Sequence, residues 1–187
     1  MASGTCGTNA TWNLDESTGV LTIIGTGEMS NYTSSEKAPW YGNRSNIKSV
    51  IILNGITSIG DYAFYLITTN SVTIPSSVTS IGIYAFRGTR IQSITIPSSV
   101  TSIGEYAFQM CSNLRLVILE GDQPTLGRYS FGIGYVDVPV YSVVLYTTGW
   151  GSDDVFTSTI KSNYTTFIYK TLPGVYVNVN GTWKKVT

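Results

Sequence analysis

Apolar residues recur along the middle of the chain with a period of twenty-two residues. The phrase SVTIPSSVTSIGIYAF at Ser71–Phe86 is followed by SITIPSSVTSIGEYAF at Ser93–Phe108, and a looser copy precedes them at Ser49–Phe64. A degenerate fourth copy ends at Phe131. A fixed period of this length is typical of a solenoid, in which each repeat forms one coil that buries its apolar side against neighbouring coils. The pattern therefore predicts a stack of about four coils with a cap at each end.

Each copy contains two short segments in which apolar and polar residues alternate, the pattern of a strand with one buried face. In the first segment, the positions predicted to point inward are Val50, Ile52, Val72, Ile74, Ile94, Ile96, Val117 and Leu119, extended by Ile47, Thr69, Ile91 and Leu114. In the second segment, they are Ile56, Ile59, Val78, Ile81, Val100 and Ile103. We therefore expect two strands in each coil, stacked on their counterparts in the next.

Each copy ends in an alanine–phenylalanine pair, which we expect to close the coil with a short helical turn. The pairs in the clearest copies are Ala63-Phe64, Ala85-Phe86 and Ala107-Phe108. Stacked phenylalanine rings would form a spine along the solenoid. Proline ends the first strand of two coils, at Pro75 and Pro97, because proline cannot continue a central ladder. A glycine whose position is expected to need a positive φ recurs at Gly60, Gly82, Gly104 and Gly127.

The region before the repeats, residues 1–47, predicts an N-terminal β cap. Alternating residues at Ala10–Leu14 and Val20–Ile24 flank a cluster of turn residues, which indicates a hairpin. We expect Trp12 and Trp40 to cover the open end of the first coil.

The complete chain is predicted to be mainly β, with the solenoid over residues 48–134, a C-terminal capping unit over 135–162 and a terminal β-hairpin over 163–187. Within the capping unit, Tyr135–Pro139 predicts a last strand and Val140–Trp150 a short amphipathic helix.

The terminal hairpin is indicated by two strand patterns that flank Asn180-Gly181, the strongest sequence signal for a two-residue turn. An isolated hairpin is only marginally stable in water, so its apolar face needs a partner, either the preceding Tyr164–Leu172 segment or another chain. We therefore predict that it is an attachment or assembly element rather than part of the solenoid. The residues assigned to this role are Tyr176, Asn178, Trp183 and Lys184.

The repeats resemble the BspA-like leucine-rich repeats, also called the Treponema pallidum type. Ser93–Leu114 follows the consensus SxTIPxSVTSIGxxAFxxCxxL nearly throughout, including Cys111. The segments 6–41 and 136–150 resemble the units that precede and close such repeats. The resemblance implies a curved solenoid of bacterial and protist surfaces, associated with adhesion and protein binding, and it brings no catalytic residues. The strands around Asn180-Gly181 are similar to hairpin units of phage tail and baseplate-associated proteins, which implies display on a virion as an alternative.

Composition removes several classes of function. The chain has 187 residues, a formal net charge of zero from 11 basic and 11 acidic side chains, and no histidine. Without a basic run or stripe, nucleic acid is not expected as a partner, and no apolar stretch is long enough for membrane insertion. Met1–Thr5 has neither a basic head nor an apolar run, so no signal peptide is expected in this chain. The absence of histidine removes the Ser-His and Cys-His nucleophile pairs and nearly every usual zinc site.

No catalytic residue, metal or cofactor is predicted. Asp153-Asp154 and the pair Glu120 and Asp122 lack the spaced ligands of a calcium loop, so a solvated loop is favoured over calcium binding or acid–base work. Cys6 and Cys111 fall in the cap and the third coil, further apart than a disulfide can span. We expect two free thiols.

Two surfaces of the solenoid are candidates for binding. The first comprises the outward positions of the first strands, at Lys48, Ser49, Ile51, Asn70, Ser71, Thr73, Gln92, Ser93, Thr95 and Arg115. This face is the customary ligand surface of leucine-rich solenoids, but rows of Ser and Thr also suit a solvated sheet, and both interpretations stay open. The second surface is a ladder of tyrosines, for which packing over the turns is favoured over binding, at Tyr62, Tyr84, Tyr106 and Tyr129.

The function predicted from these features is non-enzymatic. The chain would be an interaction or adhesion protein displayed on a cell surface, and it would bind another protein or a host surface through the solenoid. The alternative is a structural, decoration or receptor-binding protein of a phage virion, anchored through the hairpin to neighbouring copies or to the virion scaffold. A carbohydrate-active enzyme is a remote third hypothesis.

Overall fold

The computed structural model describes residues 1–114, 116–120 and 124–131, together with the backbone of four strands beyond them. The strands are β1 (Ala2–Thr5), β2 (Asn9–Asp15), β3 (Val20–Glu28), β4 (Ser49–Ile52), β5 (Ile56–Ile59), β6 (Ser71–Thr73), β7 (Ser80–Ile81), β8 (Ser93–Ile96), β9 (Ser102–Ile103), β10 (Leu116–Leu119), β11 (Thr125–Leu126), β12 (Val143–Tyr146), β13 (Thr166–Tyr169), β14 (Val175–Val179) and β15 (Thr182–Val186). The helical element within the described ranges is a 3-10 turn at Tyr41–Asn43. None of the described segments is a helix long and apolar enough to cross a bilayer.

Two strands from each coil form two parallel stacks, which confirms the predicted solenoid. The first strands of successive coils are β4, β6, β8 and β10, and the second strands are β5, β7, β9 and β11. Neighbouring coils are offset by one repeat, with Ser49 opposite Ser71 and Ser80 opposite Ser102. The positions predicted to point inward are buried, except Val72, which is half-buried.

The segment that closes each coil is a hydrogen-bonded turn, so the predicted short helical turn is wrong. Tyr62, Tyr84 and Tyr106 adopt left-handed φ angles of 54°, 56° and 57°, and a right-handed helix cannot continue through this conformation. Alternate N–H groups of the turn instead donate to the next coil, as the Phe64 N–H does to the Ala85 carbonyl at 2.7 Å. The turns therefore stack on one another much as strands do.

The recurring glycine is required by close packing, and the prediction that it needs a positive φ is wrong. None of Gly60, Gly82, Gly104 and Gly127 has a positive φ. A Cβ added to Gly104 would lie 2.6 Å from the carbonyl carbon of Gly82 in the preceding coil. The backbones of adjacent coils thus pass too close for a side chain here, and the tyrosine two residues later adopts the left-handed φ instead.

A column of aromatic rings runs through the core, as predicted. Centroid distances of 5.1, 5.2 and 4.9 Å separate the successive rings of Phe64, Phe86, Phe108 and Phe131. Trp40 stacks on Phe64 at 5.6 Å and contacts Trp12 edge-on at 5.8 Å. The two tryptophans therefore extend the column into the cap and cover the first coil.

The N-terminal cap is an antiparallel sheet whose last strand continues into the solenoid. β2 and β3 form the predicted hairpin, and β3 then pairs in parallel with β4. Cys6 is buried in this cap, Cys111 is half-buried in the third coil, and both are free thiols, as expected. Burial raises the pKa of each to about 11, so both remain protonated and weakly nucleophilic at neutral pH.

The helix predicted at Val140–Trp150 is wrong in its central part. Val143–Tyr146 forms β12, which pairs in parallel with β10. Its β-branched and aromatic residues favour a strand, and β10 offers a ladder edge to pair with. The strand predicted at Tyr135–Pro139 lies outside the described residues.

The terminal hairpin forms with the predicted strands. β14 and β15 pair antiparallel, with Asn178 opposite Trp183 and Val177 opposite Lys184. β14 also pairs with β13, and β13 pairs with β12. β13 lies in the Tyr164–Leu172 segment, which was one of the two expected partners of the hairpin. A ladder therefore joins the hairpin to the sheet of the solenoid, while the domain boundaries remain predictions.

Candidate functional site

The predicted binding positions lie on the outward face of the first-strand stack. Those that are exposed are Lys48, Asn70, Ser71, Thr73, Gln92, Ser93 and Thr95. Ser49 and Ile51 are half-buried in β4, and Arg115 lies outside the described residues. Successive side chains of a strand point to opposite faces. The strand members of this set therefore face away from the phenylalanine column, and they are Ser71, Thr73, Ser93 and Thr95.

A groove of about 340 Å³ opens on this face between the second and third coils. We call it the strand groove; its lining is Asn70, Ser71, Val72, Thr73, Ile74, Ser93, Thr95, Pro97 and Glu120. Half of the predicted binding positions thus lie together in one concavity, on β6, on β8 and just before β6. Lys48 and Gln92 are exposed beyond its lining.

The strand groove coincides with an interruption of the first-strand ladder. β4 pairs with β6 and β8 pairs with β10, but β6 and β8 do not share a ladder. Val72 on β6 is half-buried, whereas its counterparts Val50 and Ile94 are 0% and 2% exposed. The opening therefore reaches the edge of the core, and the floor of the groove includes apolar surface.

Proline contributes to this interruption. The Leu53 N–H donates to the Ile23 carbonyl in β3 of the cap at 2.9 Å, and the Glu120 N–H donates to the Ile96 carbonyl in the preceding coil at 3.0 Å. The equivalent residue of the third coil is Pro97, which has no N–H to donate. Pro75 has the same effect between β4 and β6, where the ladder holds, so proline accounts for only part of the opening.

The chemistry of the lining suits hydrogen bonding combined with apolar contact. Hydroxyl and amide groups that can both donate and accept belong to Asn70, Ser71, Thr73, Ser93 and Thr95. Within the described part of the chain, none of these side chains makes a hydrogen bond, so their polar atoms are available to a ligand. Val72, Ile74 and Pro97 supply apolar contact beside them.

Acidic residues do not converge in the described part of the structure. No group of three or more His, Cys, Asp or Glu side chains is placed there to hold a metal ion. Glu120 is the carboxylate in the groove lining, while Asp122 and Asp153-Asp154 lie outside the described residues.

The tyrosine ladder stacks over the turns. Centroid distances of 4.7, 4.9 and 5.6 Å separate the successive rings of Tyr62, Tyr84, Tyr106 and Tyr129. Burial, followed by the neighbouring phenols of Tyr84 and Tyr65, raises the pKa of Tyr62. The rings at this repeat position therefore pack on one another, as the sequence favoured.

Sequence reasoning placed the outward face but missed the strand groove. It did not identify Val72, Ile74, Pro97 or Glu120 as lining residues, because the repeat predicts the same relation between every pair of coils. The one available signal was the pair of prolines at the ends of the first strands, which remove ladder hydrogen bonds.

Comparison with known families identifies the repeat region. A family model described as "BspA type Leucine rich repeat region (6 copies)" matches residues 38–134, just over half of the chain. No curated protein matches the chain at a significant level.

Solved structures of bacterial repeat proteins are also similar. A leucine-rich repeat protein from Eubacterium ventriosum is 27% identical, with a TM-score of 0.60 over 99% of this chain and 49% of that one. A leucine-rich repeat protein from Bacteroides ovatus is 21% identical, with a TM-score of 0.39 over 74% of this chain and 46% of that one. A leucine rich cell surface protein from Faecalibacterium prausnitzii is 18% identical, with a TM-score of 0.35 over 65% of this chain and 55% of that one. The chain spans about half the length of these proteins.

Proposed function

The chain belongs to the BspA-type leucine-rich repeat family, and on this premise we propose that it is a non-enzymatic surface protein that binds another protein through the strand groove. The observation that carries the proposal is the position of the groove, on the outward face of the first strands, where leucine-rich solenoids customarily bind. Its unengaged hydroxyl and amide groups match what an extended polypeptide offers, namely alternating donors and acceptors.

The partner is a protein of a host or neighbouring cell surface. Small polar side chains and an apolar floor leave room for the partner's own side chains to enter the groove. Among the described residues, the groove lining contains one carboxylate, Glu120, and no cation. A partner segment that carries one basic residue beside apolar residues would therefore complement it.

Thr95→Arg is expected to weaken binding to host cells at least about tenfold, the loss typical of a disrupted interface centre. The exposed Thr95 lines the groove, and the longer side chain fills the space that the partner would occupy. The measurement is the attachment of protein-coated fluorescent beads to cultured epithelial cells. The matched control is Thr101→Arg, which adds the same side chain at an exposed threonine just before β9, outside the groove lining.

Treatment of the cells distinguishes the class of partner. Protease treatment should abolish attachment, and glycosidase treatment should leave it unchanged. Equal loss of attachment in the Thr95 and Thr101 variants would contradict a role for the groove, and attachment that survives protease would contradict a protein partner.

A second candidate function is assembly on a scaffold, such as a phage virion, through the terminal hairpin. The observation that favours it is the position of β15 at the end of the six-stranded sheet. An end strand presents backbone N–H and C=O groups that can pair with another chain. The residues assigned to assembly, Tyr176, Asn178, Trp183 and Lys184, lie on β14 and β15.

Deletion of residues 173–187 is expected to abolish self-association or incorporation into particles while it shifts the melting temperature by less than about 4 °C. The reason is that the repeats carry their own phenylalanine column, and the deletion removes only the outer strands of the sheet. Analytical ultracentrifugation and mass spectrometry of purified particles measure assembly, and Thr95→Arg is the control with an intact hairpin. A truncated protein that unfolds, or that assembles normally, would refute the separate role of the hairpin.

A further inference from the structure

A second surface of the solenoid consists of tyrosine rings on and beside the turns that close the coils. Its rings, which we call the tyrosine row, are Tyr41, Tyr62, Tyr65, Tyr84, Tyr106 and Tyr129. None of them lines the strand groove. The row is thus separate from the strand groove, and it consists of tyrosine, which is absent from the described lining of the groove.

Stacking covers both ring faces of Tyr84 and Tyr106, so the exposed part of these two half-buried rings is the edge. Tyr84 and Tyr106 are within 4° of parallel, and Tyr106 and Tyr129 within 25°. The row is half-buried along its length, and Tyr129 is 41% exposed. Because the face of an aromatic ring carries negative charge and its edge positive charge, the outward side of the stack attracts anions.

Cations lie over the ring faces that the stack leaves open. The Lys37 ammonium is 4.9 Å from the ring centroids of both Tyr41 and Tyr65. The Arg87 guanidinium is 5.6 Å from the ring centroid of Tyr65. Arg44 over Tyr41 and Arg128 over Tyr129 complete the set, at 4.6 and 4.9 Å. Four positive charges therefore lie along one side of the molecule.

None of these four cations makes an ion pair within the described part of the chain, although the Glu105 carboxylate acts electrostatically on Arg128. The one ion pair found there joins the N-terminal ammonium to Glu16. The nearby carboxylate of Asp61 accepts the Ile83 N–H at 2.6 Å. Arg87 is held in place by neutral groups, since it donates to the Gln109 side chain at 2.7 Å and to the Tyr65 hydroxyl at 3.0 Å. The guanidinium is positioned without a counter-charge.

We propose that the tyrosine row with its cations is a docking surface for an acidic segment of a partner protein. Tyrosine and arginine are the residues that dominate protein interfaces. A protein segment is favoured over a glycan because sugars pack their C–H groups on aromatic faces, and here those faces are occupied by neighbouring rings and by cations. Carboxylates can reach the ring edges, the phenol hydroxyls and the guanidinium groups without moving the stack.

The experiment measures binding of a fluorescein-labelled poly-glutamate peptide to the full chain by fluorescence anisotropy at low ionic strength. Binding is expected to weaken as salt is added. The double variant Arg87→Gln with Arg128→Gln should raise the Kd roughly tenfold, because the half-buried Arg87 and the exposed Arg128 each lose the charge that would pair with a carboxylate. Arg90→Gln is the matched control, because Arg90 is exposed and makes no contact with the rings, and it should change the Kd less than about twofold.

Three further measurements test the proposal, with a single variant, a poly-lysine peptide and a sulfated oligosaccharide. Arg128→Gln alone should give a smaller loss than the double variant while it retains the melting temperature. Arg128 is exposed, and its side chain donates within the described residues to the hydroxyl of its neighbour Tyr129, at 3.3 Å. A poly-lysine peptide should not bind. Absence of poly-glutamate binding, or equal losses from the Arg90 and Arg128 variants, would overturn the proposal. Tighter binding of a sulfated oligosaccharide with the same dependence on Arg87 and Arg128 would overturn it in favour of a glycan.

Discussion

Replacing Phe86 with alanine is expected to lower the free energy of unfolding by about 3–5 kcal/mol, the cost of other buried phenylalanine truncations. Phe86 is fully buried and stacks on Phe64 at 5.1 Å and on Phe108 at 5.2 Å. The truncation removes a ring from the middle of the column, so both neighbouring rings lose contacts and a cavity forms between coils. Chemical denaturation of the purified protein measures the change.

The control for this prediction is Ile83→Ala in the same coil. Ile83 is 39% exposed, so its truncation should cost less than about 1 kcal/mol. A loss below about 1 kcal/mol for Phe86→Ala would show that the column does not carry the stability of the stack.

Gly104→Ala is expected to destabilise the protein by about 1–3 kcal/mol or more, the range of overpacked cores. The added Cβ would lie 2.6 Å from both the carbonyl carbon of Gly82 and the backbone nitrogen of Ile83. Both atoms belong to the backbone of the preceding coil, which cannot rotate away as a side chain can. The two coils must therefore separate, which weakens the hydrogen bond from the Gly104 N–H to the Ile81 carbonyl at 2.7 Å.

Gly42→Ala is the matched control for this substitution. Gly42 lies in the 3-10 turn and has no atom within 4 Å of its added Cβ. The substitution should be neutral or stabilising by up to about 1 kcal/mol, because it reduces the freedom of the unfolded chain. Equal melting temperatures for the Gly104 variant and the parent protein would show that the coils are not in close contact at this position.

The burial pattern and the phenylalanine column could be predicted because the same apolar positions recur in several copies of the repeat. A short apolar run in a single copy is compatible with either a helix or a strand. Ser71–Phe86 and Ser93–Phe108 share nearly every apolar position, however, so the two copies together define the pattern. A side chain that recurs at one position of a stack must meet its own copy in the next coil. For that reason Phe64, Phe86 and Phe108 were expected to touch before any contact was known.

Relations between coils could not be predicted in the same way. The recurrence of Gly82 and Gly104 indicates that a side chain is not tolerated at this position. A left-handed φ and a close backbone contact both require glycine, so the sequence does not distinguish between them. The left-handed residue proved to be tyrosine, which rarely adopts that conformation. The opening between β6 and β8 could not be predicted because the repeats predict the same pairing between every two coils. Lys37 reaches the tyrosine row from the N-terminal cap, whose path the repeats do not determine.

The equal offset between the first three coils has a consequence for the length of the molecule. Ser49 lies opposite Ser71 and Ser80 opposite Ser102, an offset of twenty-two residues in each case. A duplicated repeat of that length would therefore make the same contacts with the coils above and below it as the existing repeats make, and it would require no new interface. It would add about 4.8 Å to the stack, one phenylalanine to the column and one tyrosine to the row. The length of the solenoid is thus set by the number of repeats, and one duplication can change it while the core contacts stay the same.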